Sequence, residues 1–264
     1  MHNAAFAALG LDATYDAADV QPQDLAGWVA SVRGPDLLGF SVTVPHKEAV
    51  MAVLNEIQGD ARLAGAVNTV IAGTKGSLRG ANTDTAGFRR SVADEAGTSL
   101  EGQSVVLLGA GGAARAVAVV ALQDGAAALT VVNRHRERAE HLASDLAVLR
   151  PSTLIRTLAA DDPAVPSAIS AATILVNATS VGMSSNQMPV DVSALEGVGL
   201  VIDIVYNPAE TALLRAARAQ GARVLGGLGM LVFQAAAAFE LWAGLPAPAG
   251  TMRAAAERIL SERT

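Results

Sequence analysis

The sequence predicts an α/β protein of two lobes, a doubly wound parallel sheet and a smaller α/β unit, with a cleft between them. Three observations carry that expectation. From residue 103 to about 227, short runs of Val, Leu and Ile alternate with helical stretches, the rhythm of a sheet buried on both faces. The first run, Val105-Val106-Leu107-Leu108, leads directly into GAGGAAR at 109–115. After the last run come a long apolar helix, Met230 to Trp242, and an amphipathic one at 250–262, which return to the first part of the chain and close the cleft.

Residues 3–9 and 24–32 read as short Ala-rich helices around an extended Thr14–Tyr15 stretch. Gly39 to Val44 reads as a strand that Pro45 ends, since proline offers no ladder N–H and restricts the residue before it. A helix at 46–57 is expected next. Val67 to Ala72 and Ser77 to Ala81, joined through Gly73, Lys75 and Gly76, form a hairpin pattern, after which Asp84 N-caps a helix to about Ala96. Gly97 to Gln103 is a turn-rich hinge. Strands are then expected at 104–108, 128–132, 173–177, 199–203 and 222–225. The lobes so defined are 1–97 with 229–264, and 98–228.

GAGGAAR sits where a buried strand must turn sharply, at Gly109, and let its backbone approach a pyrophosphate near Gly111. The free N–H groups and positive end of the following helix then face the phosphates. A glycine-rich turn alone is weak evidence, and the third fingerprint position here is Ala114. Strand, turn, helix (Ala113 to Leu122) and second strand together make a βαβ unit of Rossmann type and of the size a dinucleotide needs. At the second strand's tip, where an NAD-preferring site places a carboxylate, the chain has Asn133-Arg134-His135-Arg136-Glu137-Arg138. Guanidinium forks there suit the 2′-phosphate of NADP.

Composition narrows the rest. The 264 residues are 51% hydrophobic, enough for two modest cores. With no cysteine there are no disulfides or thiolate ligands, and the four scattered histidines offer no helical metal pair, so no metal is expected. A net charge of −6 disfavours nucleic acid. The best membrane candidate, Val224 to Phe239, carries Gln234 and is too short to span. No signal peptide is visible at the start, and a cytosolic protein, monomer or homodimer, is expected.

A second constellation lies outside the glycine turn. Most lysines are solvated, but Lys47 follows a strand and a proline in GFSVTVPHK. Thr43 sits on that strand, Asn68 opens the hairpin in GAVNT, and Asp84 closes it in ANTD. A lysine and a carboxylate side by side in a cleft can share and move a proton, which a carbonyl reduction requires. Gln234 is polar in an otherwise apolar helix, so it has either a structural partner or a ligand. Tyr206 follows a strand and precedes Asn207-Pro208, at the carboxyl edge where ligands of parallel sheets bind.

Taken together, GFSVTVPHK, GAVNT, NTD, GAGGAAR, NRHRER, NATSVGM, DIVYNPAET and GLGMLVFQA, in this order, resemble the shikimate dehydrogenase family. The resemblance implies reversible NADP-dependent reduction of 3-dehydroshikimate to shikimate, a step of aromatic amino-acid biosynthesis. It implies Lys47 and Asp84 as the acid/base pair, and Thr43, Asn68, Tyr206 and Gln234 as groups that hold the substrate. It assigns Gly109, Ala110, Gly111, Gly112 and Ala113 to the pyrophosphate, and Asn133, Arg134, His135 and Arg138 to the adenosine phosphate. Asn177, Thr179, Ser180, Ile204, Gly227 and Met230 fall to the nicotinamide half.

The chain departs from the family pattern in three places. Members carry a strand and an SxSP segment just before the HN matched by His2-Asn3, and a shortened start is therefore expected here. Ser41 replaces the usual Asn of NVT, and His135 the usual Thr after NR. Two other readings stay open: a quinate/shikimate dehydrogenase using NAD, and a catalytically silent NADP-binding module.

Overall fold

The computed structural model describes residues 1–183 and 185–262. The first 96 residues form α1 (His2–Ala8), α2 (Leu25–Ser31), β1 (Gly39–Ser41), β2 (Glu56–Ile57), α3 (Gly59–Ala64), β3 (Thr69–Ala72), β4 (Leu78–Ala81) and α4 (Asp84–Ala96). The hairpin is present, with Thr69 opposite Ala81 and Ala72 opposite Leu78. Its two strands lie at the centre of a mixed sheet ordered β1-β3-β4-β2, in which β2 runs parallel to β4.

The helix expected at 46–57 does not form. A 3₁₀ turn at Ala49–Val53 is followed by β2. The apolar spacing of Val50, Met51, Leu54 and Ile57 suits either state, and all four pack in the small lobe's core. Pairing decides between them: Asn55 exchanges hydrogen bonds with Leu78 through its backbone N–H and its side-chain oxygen, and the Gln58 N–H reaches Gly80. These contacts draw the segment onto the sheet edge. The unpredicted α3 then begins and is ended by Gly65 in the left-handed region, φ 59°. β1 also stops earlier than expected, at Ser41, so Thr43 lies in the turn beyond the strand.

The larger lobe follows in the order β5 (Ser104–Leu108), α5 (Gly112–Gln123), β6 (Ala128–Asn133), α6 (Arg136–Leu146), β7 (Leu154–Ala159), α7 (Val165–Ser170), β8 (Ile174–Asn177), β9 (Leu200–Asp203), α8 (Ala212–Ala219) and β10 (Arg223–Gly226). Its six strands are parallel, ordered β10-β9-β8-β5-β6-β7. Five were expected. β7, the sixth, was missed because it is an edge strand of alternating exposure, with Leu154 in solvent, whereas β5, β8 and β9 are continuous buried apolar runs. The chain leaves β5 toward β6 on one side and returns to β8 on the other, so a crevice opens at the carboxyl ends of β5 and β8.

α9 (Leu228–Ala243) and α10 (Ala249–Ser261) then return to the small lobe. α9 lies so close to α4 that a Cβ at Gly87 would stand 2.7 Å from the Gln234 backbone nitrogen. Trp242 Nε1 donates to the Val70 carbonyl and ties α9 to β3. Phe6, Phe239 and Met252 join α1, α9 and α10. Among the described residues no helix is long and apolar enough to cross a membrane.

His2 is buried against the rings of Tyr15 and Trp242, at centroid distances of 4.4 and 5.1 Å. Burial, and secondarily the neighbouring amino terminus, lower its pKa from 6.5 to about 4. The native state thus takes up this proton less readily than the unfolded chain. The imidazole's contribution to stability is whole above pH 6.5 and is lost as pH falls toward 4. Urea midpoints of the wild type and His2→Phe, followed between those values, are expected to diverge, with the wild type losing stability faster. Parallel curves would mean that the imidazole titrates as if in solvent.

Candidate active site

Lys47 is carried by the turn after β1, and its carbonyl accepts the Val67 N–H at 2.7 Å, which fixes its backbone to the segment leading into the hairpin. Across from it, α4 begins. Asp84 is the first residue of that helix, not its N-cap as expected: Asn82 Oδ1 accepts the Asp84 N–H at 3.0 Å instead. The Asp84 carboxylate is thereby released for other partners, at a helix end whose dipole favours negative charge. Lys47 Nζ donates to its Oδ2 at 2.5 Å, and Asn68 Nδ2 to its Oδ1 at 2.8 Å.

Asn68 is itself held. Its oxygen accepts the Thr83 N–H at 2.7 Å and the Thr69 hydroxyl at 3.0 Å. Its amide nitrogen also lies 3.0 Å from Thr83 Oγ1 and 3.4 Å from Gln234 Oε1. Gln234 Nε2 donates to the Leu231 carbonyl, so its structural partner and its place at the cleft coexist.

These groups share a cavity of about 530 Å³ between the lobes. Thr43, Lys47, Asn68, Asp84, Tyr206 and Gln234 all line it, together with Ala113, Ile204, Gly227 and Met230. Ser41, noted in the sequence only as a departure from the family's NVT, and Tyr15, not singled out as a site residue, line it too. For Tyr15 the available signal was Asn3, whose side chain bonds both the N–H and the carbonyl of Tyr15 and pins that stretch.

The glycine turn lies just before Ala113, which lines the same cavity. Gly109 has φ 111°, and a Cβ there would press on the Ala178 carbonyl at 3.0 Å. Ala110 is buried behind it. Gly111 faces open space, with nothing within 4 Å of where a Cβ would stand. A further cavity of about 360 Å³ at the tips of β5 and β6 is lined by Asn133, Arg134, His135, Arg138, Thr179 and Ser180. Among the described residues Arg134 and Arg138 have no carboxylate partner, whereas Arg136 is paired with Glu140. Two unneutralised guanidinium groups beside an open helix N-terminus fit a phosphorylated dinucleotide. Asn177 lies beneath this surface, fully buried, and not on the cavity wall.

Comparison with known proteins agrees with this geometry. Residues 1–70 match the shikimate dehydrogenase substrate binding domain, 91–203 the shikimate/quinate 5-dehydrogenase family, and 227–257 the shikimate 5′-dehydrogenase C-terminal domain. A shikimate dehydrogenase (NADP(+)) of Symbiobacterium thermophilum is 47% identical over 97% of this chain and 87% of its own. The chain belongs to the shikimate dehydrogenase family. A crystal structure of a shikimate dehydrogenase in complex with NADP+ superposes with a TM-score of 0.89 at 36% identity, over 98% of this chain and 89% of that one. The quinate dehydrogenase of Corynebacterium glutamicum in complex with NAD gives 0.87 at 34% identity, over 98% and 92%. These matches, which run over nearly the whole chain, do not support the expectation of a shortened start.

In this member of the family one buried network holds both loops at the carboxyl edge. Asp203, at the end of β9, is fully buried and accepts from Asn177 Nδ2 (2.9 Å), the Val205 N–H (3.1 Å) and the Thr211 hydroxyl (2.6 Å). Asn177 in turn accepts the N–H and hydroxyl of Thr179. Burial pushes the Asp203 carboxyl up, and the three hydrogen bonds pull against that shift. Asp203 and Thr211 open and close DIVYNPAET, but no role was read for either, because a carboxylate at a strand end gives no sign in sequence of being fully enclosed. Asp203→Ala leaves three buried donors unmatched and is expected to cost about 3 kcal/mol or more in denaturant unfolding. Asp203→Asn, which keeps an acceptor, is expected to cost less. A loss for Asp203→Ala below ~1 kcal/mol would show that water reaches the donors.

Proposed function

We propose that this chain carries out the reversible NADP-dependent reduction of 3-dehydroshikimate to shikimate, in the biosynthesis of aromatic amino acids, with residues 1–97 and 229–264 as substrate lobe and 98–228 as cofactor lobe. The observation that carries the reading is the Lys47–Asp84 hydrogen bond inside the cavity between the lobes. An ammonium held on a carboxylate is positioned to give a proton to a ketone oxygen in reduction, or to accept one from the hydroxyl in oxidation. Asp84 keeps Lys47 oriented and offsets the charge it carries, and Asn68 keeps Asp84 oriented.

Bound NADP supplies or takes up the hydride. The chain's part would be to hold it: the open backbone at Gly111 and that of Ala113 would face the pyrophosphate, Arg134 and Arg138 the 2′-phosphate, and Thr179, Ser180, Ile204, Gly227 and Met230 the nicotinamide half. Asn133 at the tip of β6 takes the place of the carboxylate that a ribose 2′-hydroxyl calls for, which favours NADP over NAD. Thr43, Asn68, Tyr206 and Gln234 supply polar contacts to a hydroxylated ring. A cytosolic setting, and a monomer or homodimer, belong to the same proposal.

Nicotinamide absorbance tests it with shikimate and quinate, each with NADP and NAD. Turnover of shikimate with NADP is expected to dominate; binding of NADP without turnover of either acid would end the reading. Lys47→Ala is expected to lower kcat on the order of 100-fold or more, while the affinity for NADP barely changes. For Arg134→Ala the affinity for NADP is expected to drop about tenfold and that for NAD to hold, since only the former carries the phosphate. An equal loss with both cofactors would remove Arg134 from the phosphate site.

A further inference from the structure

Gly112 is the one glycine of the turn that the dinucleotide fingerprint leaves unexplained. The fingerprint positions are Gly109, Gly111 and Ala114, and Gly111 is the one whose missing side chain leaves room for a ligand. At Gly112 a Cβ would point elsewhere: it would stand 3.0 Å from Lys47 Cδ, 3.4 Å from its Cβ and 3.7 Å from its Cγ. The aliphatic stem of Lys47 thus lies across the first turn of α5, and its ammonium continues to Asp84.

We propose that Gly112 is a positioning residue for Lys47, its bare Cα being what lets a side chain of the small lobe cross the nucleotide-binding helix and reach Asp84. The proposal rests on the reading of Lys47 as the acid/base group. Gly112 does not have a left-handed φ, so the backbone itself does not demand glycine, and Ala would be the better helix former. The constraint therefore comes from the lysine. Lys47 has little room to withdraw, because its carbonyl is tied to Val67 and the preceding residues are docked on the same helix: Arg115, one turn along from Gly112, donates to the Ala64 carbonyl at 3.2 Å. A methyl group at 112 would push the stem by a few tenths of an ångström and swing the ammonium away from Asp84. The same contact couples the two lobes, since the proton-transfer group is seated against the helix that faces the cofactor.

Four proteins test this: wild type, Gly112→Ala, Lys47→Ala and the double variant. For each, kcat is measured at saturating shikimate and NADP across pH, and NADP affinity is measured separately by calorimetry. Gly112→Ala is expected to lower kcat about tenfold and to move the pH of half-maximal kcat, since a displaced reacting group loses its alignment. NADP affinity should stay within about twofold, and in the Lys47→Ala background the added methyl should change kcat by less than about twofold. A Gly112→Ala chain that fails to fold while the double variant folds supports the same contact. Unchanged kcat in Gly112→Ala, an equal loss in both backgrounds, NADP affinity lost with kcat kept, or failure of both variants to fold would each overturn it. If Lys47→Ala itself leaves kcat untouched, the acid/base reading fails; if only Gly112→Ala does, that reading stands and the positioning role falls.

Discussion

The arrangement depends on keeping an ammonium and a carboxylate together in a site from which most water is excluded. Taking both charges out of bulk water is costly, and a buried pair is on its own a poor source of stability. The cost is offset by completeness: Asp84 has Lys47 on one oxygen, Asn68 on the other and the start of α4 behind it. Asn68 is held by Thr69 and Thr83, so a chain of matched donors and acceptors runs from the ion pair into the hairpin. A core of apolar groups of the same size would fold as well. A fully matched polar cluster at a cleft is better explained by chemistry done there.

That cluster needs a rigid frame on both sides of the cleft, and the lobes provide it by not being independent. Ala64, Ala66 and Phe88 of the small lobe share one hydrophobic cluster with Leu107, Val117 and Leu225 of the large lobe. α4 enters the large lobe just before the hinge and α9 leaves it, and the two pack against each other closely enough to require Gly87. Ion pairs and hydrogen bonds between α5 and its neighbours, Arg89 with Asp124 and Gln123 with Asp60, continue the same seam.

How much of this was legible follows from where each constraint originates. The glycine turn and strands β5, β6, β8, β9 and β10 could be read because turn chemistry and continuous apolar runs are local. The edge strand β7 could not, since its alternating Leu, Arg and Thr resemble a solvated loop. The segment 46–57 was misread because Asn55 and Gln58 answer to partners on β4, more than twenty residues away. Lys47 and Asp84 were picked out by their places after a strand and at the end of the hairpin and then by motif order, and nothing local fixes how closely their side chains meet. The enclosure of Asp203 and the contact between Lys47 and Gly112 are properties of packing alone.

Polar capacity in the cleft is unequally distributed, and this limits how a hydroxylated ring can be held. Asn68 has two amide hydrogens and already faces Asp84, Thr83 and Gln234, so a ligand can gain one only by displacing the longest of these contacts, to Gln234 at 3.4 Å. Gln234 would then turn its oxygen to the ligand while its nitrogen stays on Leu231. Thr43 and Tyr206 are different: among the described residues neither hydroxyl has a protein partner, and both line the cavity. Both residues are exposed, so ring hydroxyls or a carboxylate can engage them without breaking a protein contact. On the proposed reading, discrimination between related acids would fall first on Thr43 and Tyr206, whose hydroxyls would be left unmatched by an analogue lacking the group they meet. Asn68 and Gln234 would then act as a second check, because engaging them requires giving up a bond already made.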